Sequence, residues 1–201
     1  MLLHALIPAS RANGPGLRAV VFFQGCKLGS VGCWNPRTHP FHGPEITVDV
    51  VAQEVLRSRQ EYTLEGVTFS GGEPMQQADR LLGLIHSLRR QAPELGFGMF
   101  SGYAEHELAQ GQYWVWGDES SEQLRKRLWQ EIRACLDFAI LGRFNQAQPI
   151  NMPLRTSRNQ VLRLFSDHYT PADFGEELTE VSIHEGGKVE ITGFPTLGLP
   201  W

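Results

Sequence analysis

Cysteine is the residue type in this sequence that points most directly to chemistry. The chain has three cysteines: Cys26 and Cys33 share a glycine-rich segment, whereas Cys135 lies far along the chain. An odd number of cysteines argues against a disulfide framework and favours metal or thiol chemistry. Thiolates are soft donors that suit iron, and three of them are what an iron–sulfur cluster with one open iron needs.

The glycine-rich segment follows the first of several buried strands that alternate with amphipathic helices. Apolar runs bounded by turn residues predict strands at 17–24, 66–70, 97–100 and 136–141. Apolar periodicity predicts helices at 48–59, 76–91 and 121–134, with a shorter helical piece beginning near 104. Strands that alternate with helices predict a parallel sheet with right-handed crossovers. Near the end, residues 180–184 and 188–192 flank a Glu-Gly-Gly turn at 185–187, which predicts a hairpin.

The four predicted strands end in segments rich in glycine and polar groups. These segments are 25–26, 70–74, 101–103 and 142–144. Parallel α/β sheets and barrels bind ligands at the carboxyl ends of their strands, where glycine lets a ligand approach the backbone. Each segment alone is equally compatible with an ordinary strand-to-helix turn. Together they favour a binding site at one edge of the sheet.

Length and charge exclude several classes of protein. The 201 residues fit a single domain over 1–201, with a long loop at 25–44 and the hairpin at 180–192. A net charge of −4 gives no reason to expect a nucleic acid partner. The longest apolar run, 19–23, is far shorter than the roughly 20 residues of a membrane helix, so no membrane association is expected. The beginning of the chain lacks the pattern of a secretory signal, which predicts a cytoplasmic protein.

Several motifs resemble the small activating enzymes of the radical S-adenosylmethionine superfamily. They are NGPGLR at 13–18, GCKLGSVGCWNPRT at 25–38, FSGGEP at 69–74, FSGY at 100–103, LDFAILGRF at 136–144, RTSRNQ at 155–160 and ITGFP at 191–195. The resemblance implies an α/β fold that is a partial, incomplete β/α barrel, with a mainly parallel sheet and the C-terminal hairpin. It also implies a [4Fe-4S] cluster and S-adenosylmethionine as cofactors.

The resemblance further implies roles for individual residues. Cys26 and Cys33 are ligands of the metal cluster, while Gly71, Gly72 and Glu73 lie along the methionine end of S-adenosylmethionine. Weaker candidates, matched to family motifs without a derived role, are Ser101, Arg143, Asn159 and Gln160. The implied substrate is a glycyl-radical protein. Because the chain has no cysteines for a second cluster, an external electron donor such as flavodoxin is also implied.

The sequence departs from the superfamily pattern at Ser30. This residue occupies the middle position of the C-x3-C-x2-C spacing, between Cys26 and Cys33. A serine hydroxyl is less acidic than a thiol and a harder ligand, so we expect a cluster that is absent, labile or abnormally ligated. Three explanations are open: an introduced replacement of cysteine, a natural oxygen ligand, or a catalytically silent relative that keeps the fold as a binding or regulatory module.

Other interpretations use the same residues. Cys26, Cys33, His39 and His42 are ligand types that zinc accepts, although their spacing is not that of a zinc finger. Cys135 stands in an apolar setting, which predicts a packed core cysteine and not a third ligand. An aromatic patch at Tyr113, Trp114 and Trp116 is compatible either with loop packing or with contact to a partner.

Overall fold

A computed structural model of the chain describes residues 1–117, 121–175, 179–183 and 189–193. In chain order the strands are β1 (Leu3–Ser10), β2 (Arg18–Phe23), β3 (Gly66–Gly71), β4 (Gly96–Ser101), β5 (Phe138–Leu141), β6 (Pro149–Met152), β7 (Arg155–Ser157), β8 (Val161–Leu164), β9 (Thr179–Ile183) and β10 (Val189–Gly193). The helices are α1 (Val48–Glu61), α2 (Ala78–Gln91), α3 (Glu105–Ala109) and α4 (Glu122–Cys135). Short 3₁₀ turns lie at Pro36–Thr38, Pro74–Gln77 and Pro171–Asp173.

A six-stranded sheet in the order β1-β2-β3-β4-β5-β8 forms the centre of the described structure. Its four inner strands, β2 to β5, are parallel neighbours. Helices in the intervening segments carry the chain from one strand to the next, as the alternating pattern predicts. The fold is therefore α/β with a mainly parallel sheet, and the four predicted strands are confirmed.

Both outer strands are antiparallel to their neighbours, and the sequence patterns did not predict either of them. β1 pairs with β2 and carries Pro8, which an edge strand tolerates because one row of its backbone groups needs no partner strand. β8 has four residues and pairs with β5. The short hairpin of β6 and β7, between β5 and β8, was also not predicted.

α1 and α4 begin where capping residues and periodicity predict, whereas α2 begins at Ala78 and not at 76, because residues up to Gln77 form a 3₁₀ turn. Thr47 and Ser121 precede α1 and α4, and their hydroxyls accept hydrogen bonds from the amides of Val50 and Leu124. α2 contacts both α1 and α4, so the three long helices form one layer. Their apolar faces pack in one core with the sheet residues that alternate toward them, including Val21 and Phe69. No helix in the described part of the chain combines the length and the apolar character that crossing a membrane requires.

β9 and β10 form an antiparallel pair, which confirms the predicted hairpin within the described residues. The predicted turn at 185–187 lies outside them. Hydrogen bonds attach the pair to the turn between β1 and β2: Glu180 accepts from the Ser10 hydroxyl and from the Arg11 amide, and the Asn13 amide group donates to the Thr192 hydroxyl over 2.7 Å.

The opposite face of the sheet buries a charged residue, Arg18, with no solvent exposure. Nε donates to the Thr68 hydroxyl over 2.8 Å, Nη1 to the Pro15 carbonyl and the Tyr169 hydroxyl, and Nη2 to the Val67 and Gly96 carbonyls. These bonds use all five N–H groups of the guanidinium. Five neutral acceptors thus solvate a charge that has no carboxylate bonded to it.

We expect Arg18→Met to lower the free energy of unfolding by about 2–4 kcal/mol, because several buried acceptors lose their donor at once. Urea denaturation followed by circular dichroism measures the change. The matched control is Arg57→Met, since Arg57 is exposed and pairs with Glu54 on the same helix; its effect should stay within about 0.5 kcal/mol. Equal losses in the two variants would contradict the structural role of Arg18.

Candidate functional site

The carboxyl ends of the four parallel strands meet at one edge of the sheet, as predicted. The Gly72 amide donates to the Phe23 carbonyl over 2.8 Å, and the Glu73 amide donates to the Gly25 carbonyl over 2.9 Å. The Gly102 amide, after β4, donates to Glu73 Oε2 over 2.7 Å. Two backbone bonds and one bond from an amide to the Glu73 carboxylate therefore join the segments that follow β2, β3 and β4 into one continuous surface.

Glu73 is the buried charge of this surface, with 1% of its area exposed. Its Oε1 accepts from the Met75 amide and from the Ser101 hydroxyl, each over 2.9 Å, while Oε2 accepts from the Gly102 amide. Burial raises the pKa of Glu73 to about 7, although these hydrogen bonds and the nearby Arg143 charge oppose the rise. Three donors occupy three of the roughly four lone-pair positions of a carboxylate, which leaves capacity for one further donor.

Close approach of neighbouring backbone requires glycine at the two positions before Glu73. Gly71 has φ +99°, and a Cβ at this residue would lie 2.5 Å from the Phe23 nitrogen. A Cβ on Gly72 would lie 2.3 Å from the Gly25 carbonyl oxygen. Any side chain here would push the ends of β2 and β3 apart, so the glycines set the position of Glu73 relative to the loop at 25–44.

Of the other predicted cofactor-binding residues, Ser101 contacts Glu73, whereas the remaining ones bond to other groups. Ser101 touches the carboxylate directly. Arg143 makes two hydrogen bonds from Nη1 to the Glu107 carboxylate, at 2.9 and 2.8 Å, and lies over the Tyr103 ring. The Asn159 side chain donates to the Arg143 carbonyl over 2.7 Å. The Gln160 side chain accepts from the amides of residues 156 and 157, so it shapes its own loop.

Cys26 and Cys33 accept the same kind of backbone hydrogen bond in the loop. Each sulfur accepts a hydrogen bond of 3.4 Å from the backbone amide two residues further on, Leu28 for Cys26 and Asn35 for Cys33. Burial raises the pKa of Cys26 to about 11, and the nearby Glu73 and Cys33 act in the same direction. Binding of a metal at this sulfur therefore has to displace a proton.

Backbone hydrogen bonds join the beginning of the loop, at Gly25 and Cys26, to residues in its second half. The Gly25 and Cys26 amides donate to the carbonyls of Thr38 and His39 over 2.7 and 2.9 Å. The Cys33 amide donates to the Ser30 carbonyl over 3.2 Å, so the middle position belongs to the same turn as the second cysteine.

The donor set fits an iron–sulfur cluster with one weaker position. Two partly buried thiols in one loop, each with an N–H group directed at its sulfur, are donors of the kind that hold such clusters. Ser30 offers an oxygen at the third position. Within the described residues, no three His, Cys, Asp or Glu side chains form a group that could hold a metal ion, so Cys26, Cys33, His39 and His42 are not assembled as a zinc site.

Cys135 and the aromatic patch both pack against other parts of the chain. Cys135 ends α4 and packs against the main core, as predicted for a core cysteine. Phe41, from the loop, contacts the rings of both Trp114 and Trp116, with centroids 5.0 and 6.1 Å apart. This part of the aromatic patch therefore packs against the loop.

Residues 12–163 match the family described as 4Fe-4S single cluster domain. The chain belongs to this family. The matched range contains the loop at 25–44, Glu73, Ser101 and Arg143, and it ends within β8.

Curated relatives of this 4Fe-4S single cluster domain protein are activating enzymes. The chain is 27% identical over 164 residues to an anaerobic ribonucleoside-triphosphate reductase-activating protein of Haemophilus influenzae, covering 79% of this chain and 94% of that protein. It is 36% identical over 92 residues both to a pyruvate formate-lyase-activating enzyme of Clostridium pasteurianum and to a putative glycyl-radical enzyme activating enzyme of H. influenzae. These matches cover 44% of this chain, and 39% and 34% of the relatives.

The family match and these relatives confirm the resemblance to radical S-adenosylmethionine activating enzymes that the sequence motifs indicated. A 4Fe-4S cluster and S-adenosylmethionine are the cofactors of this type. Sequence reasoning missed one residue of the site, Gln76, which is 1% exposed and accepts from the Lys27 amide next to Cys26. The signal was available: two glutamines, Gln76 and Gln77, stand one residue after the GGEP segment, at a place where periodicity predicts only a helix.

We expect Glu73→Gln to weaken binding of S-adenosylmethionine about tenfold or more, because the variant loses the charge and turns an N–H donor toward other donors. Anaerobic titration calorimetry measures the dissociation constant, and thermal unfolding separates a loss of affinity from a loss of fold. The control is Glu107→Gln, which changes a carboxylate bonded to Arg143. Equal weakening in both variants would contradict a specific role for Glu73.

Proposed function

We propose that the chain binds a [4Fe-4S] cluster through Cys26 and Cys33 with Ser30 at the third position, binds S-adenosylmethionine beside it, and activates a glycyl-radical protein. The observation that carries the proposal is the bond from the Glu73 amide to the Gly25 carbonyl, which fixes a buried carboxylate next to the first cysteine of the loop. In this arrangement a single ligand can contact both the loop and the carboxylate.

The residues of this chain contribute binding, orientation and exclusion of water. The remaining lone-pair position on Glu73 suits the ammonium of an amino acid, a donor that carries the opposite charge. Ser101 and Gly102 hold the carboxylate in place for that contact. Held by the loop and Glu73, the cluster and S-adenosylmethionine would supply one-electron reductive cleavage of the sulfonium C–S bond, with the electron taken from an external donor, and with it the capacity to abstract a hydrogen atom.

Activation of a glycyl-radical protein is proposed from the names of the relatives. The chain covers 94% of one activating protein but only 39% and 34% of two others, so the substrate of this chain is an inference. The proposal places the chain in the cytoplasm. It also includes an external electron donor of the flavodoxin kind, which would reduce the cluster. Residues 1–44 contain no Asp or Glu, and Lys27 and Arg37 are exposed on the loop, so this surface suits an acidic donor protein.

A second candidate function is a binding or regulatory module that keeps the fold without the chemistry. Ser30 is the observation that favours it, because an oxygen donor at the third position weakens binding of iron. The turn from Ser30 to Cys33 is closed by a backbone bond that does not involve the Ser30 side chain. Both candidate functions are therefore compatible with the same loop structure, and they differ in whether its donors hold a complete cluster.

We expect Ser30→Cys to raise the iron and sulfide content after anaerobic reconstitution to about four of each per chain, with the parent chain clearly lower. A third soft donor restores the thiolate set, so reductive formation of 5′-deoxyadenosine should rise with the iron content. Chemical iron and sulfide assays, the visible absorption of the cluster and chromatography of the nucleoside product are the measurements.

Cys135→Ser serves as the control, because this thiol packs against the core away from the loop. A parent chain that already holds about four irons and cleaves S-adenosylmethionine fully would overturn the expectation of a weakened cluster. Absence of 5′-deoxyadenosine from both the parent and Ser30→Cys would favour the silent module.

A further inference from the structure

Gln76 lies on the 3₁₀ turn after Glu73, and both ends of its side chain are engaged. Oε1 accepts from the Lys27 amide over 2.8 Å, and Nε2 donates to the Tyr103 hydroxyl over 2.8 Å. The Gln76 carbonyl also accepts from the Trp116 amide over 2.7 Å. A buried glutamine therefore connects the loop at 25–44 with the end of β4 and with the segment between α3 and α4.

These contacts close into a cycle, which we call the Gln76 cycle and define as Lys27, Gln76, Tyr103 and Trp114. The Tyr103 hydroxyl accepts from the Trp114 amide over 3.2 Å, in addition to its bond from Gln76. Lys27 Nζ lies 3.6 Å from the centre of the Trp114 ring, a cation–π contact that returns to the loop. Each member comes from a different segment of the chain, so the cycle holds four segments together.

The cycle acts on the peptide group that follows Cys26. The Lys27 amide belongs to that peptide group, and Gln76 fixes its direction. The peptide group before Cys26 is fixed as well, because the Cys26 amide donates to the His39 carbonyl over 2.9 Å. With both flanking peptide groups held, the direction of the thiol depends only on rotation within the side chain.

Fixing the backbone before a metal binds lowers the entropy lost on binding. This matters most where donors are few, and the loop has two thiols where related patterns have three. A hydrogen-bonded glutamine that orders the first thiol compensates for part of the weakness at Ser30.

We propose that Gln76 is a positioning residue for the cluster loop, and that it orders Cys26 through the Lys27 amide with Tyr103 as its support. The effect on the cluster rests on the proposed function, because it assumes that Cys26 is a ligand. The effect on the loop does not, since it follows from contacts within the polypeptide.

The first test uses the metal-free protein, prepared with a chelator. Gln76→Met keeps the length of the side chain and removes both hydrogen bonds, so hydrogen–deuterium exchange at the Lys27 amide should rise roughly tenfold. Gln76→Glu keeps an acceptor for that amide, and its exchange should stay near that of the parent. Tyr103→Phe removes only the hydroxyl that holds Gln76 Nε2, so it should give a smaller rise.

The second test uses the reconstituted protein. Iron release to an excess of chelator should be roughly tenfold faster in Gln76→Met than in the parent, and Gln76→Glu should restore the slower release. Gln91→Met is the matched control, because Gln91 bonds to Ser87 at the end of α2 and contributes nothing to the Gln76 cycle as defined above. In this control, neither the exchange rate at the Lys27 amide nor the rate of iron release should change.

The outcomes are distinguishable. Exchange at Lys27 in Gln76→Met that equals that of Gln91→Met would overturn the positioning role, as would faster exchange together with unchanged iron release. If the parent chain takes up no iron, the proposed function fails, and the exchange comparison alone decides whether Gln76 orders the loop. If Gln76→Met does not fold, Tyr103→Phe and Gln76→Glu carry both measurements, and parent-like values in Tyr103→Phe overturn the proposal.

Discussion

The site depends on the close approach of two strand ends. β2 and β3 remain hydrogen bonded past their last regular pair because Gly71 and Gly72 have no side chains to separate them. This contact places the Glu73 amide on the Gly25 carbonyl, and so fixes the distance between the buried carboxylate and Cys26. Ser101 and Gly102 then orient a carboxylate whose backbone position is already determined.

The sheet buries two charged groups in different ways. Arg18, at the amino ends of the strands, donates five hydrogen bonds to neutral acceptors and has no donor left. Glu73, at the carboxyl ends, accepts three bonds and keeps room for another. Complete hydrogen bonding by the protein offsets the cost of burying a charge, whereas a buried charge with an unused acceptor position can receive a ligand of opposite charge.

The parts of the fold that the sequence predicts are those with strong local signals. Apolar periodicity and the capping residues Thr47 and Ser121 give α1 and α4, and compact apolar runs give β2 to β5. β1 escapes prediction because Pro8 interrupts its pattern, and β8 because four residues are too few to show one. These two strands form because the parallel sheet offers them unpaired edges, which is tertiary information.

In the site, too, sequence motifs reveal the residues with reactive or ligating side chains. The residues that hold those side chains in position become visible only in the folded structure. The motifs single out Cys26, Cys33 and Glu73, but Gln76 has neither a ligand's chemistry nor a periodic position, and its bond to Lys27 joins residues far apart in sequence. The turn that contains Ser30 is likewise built from backbone bonds. Because folding of the loop does not need a thiol at position 30, a serine there separates the loop's structure from its capacity to bind iron, and the supports of the remaining two thiols gain importance.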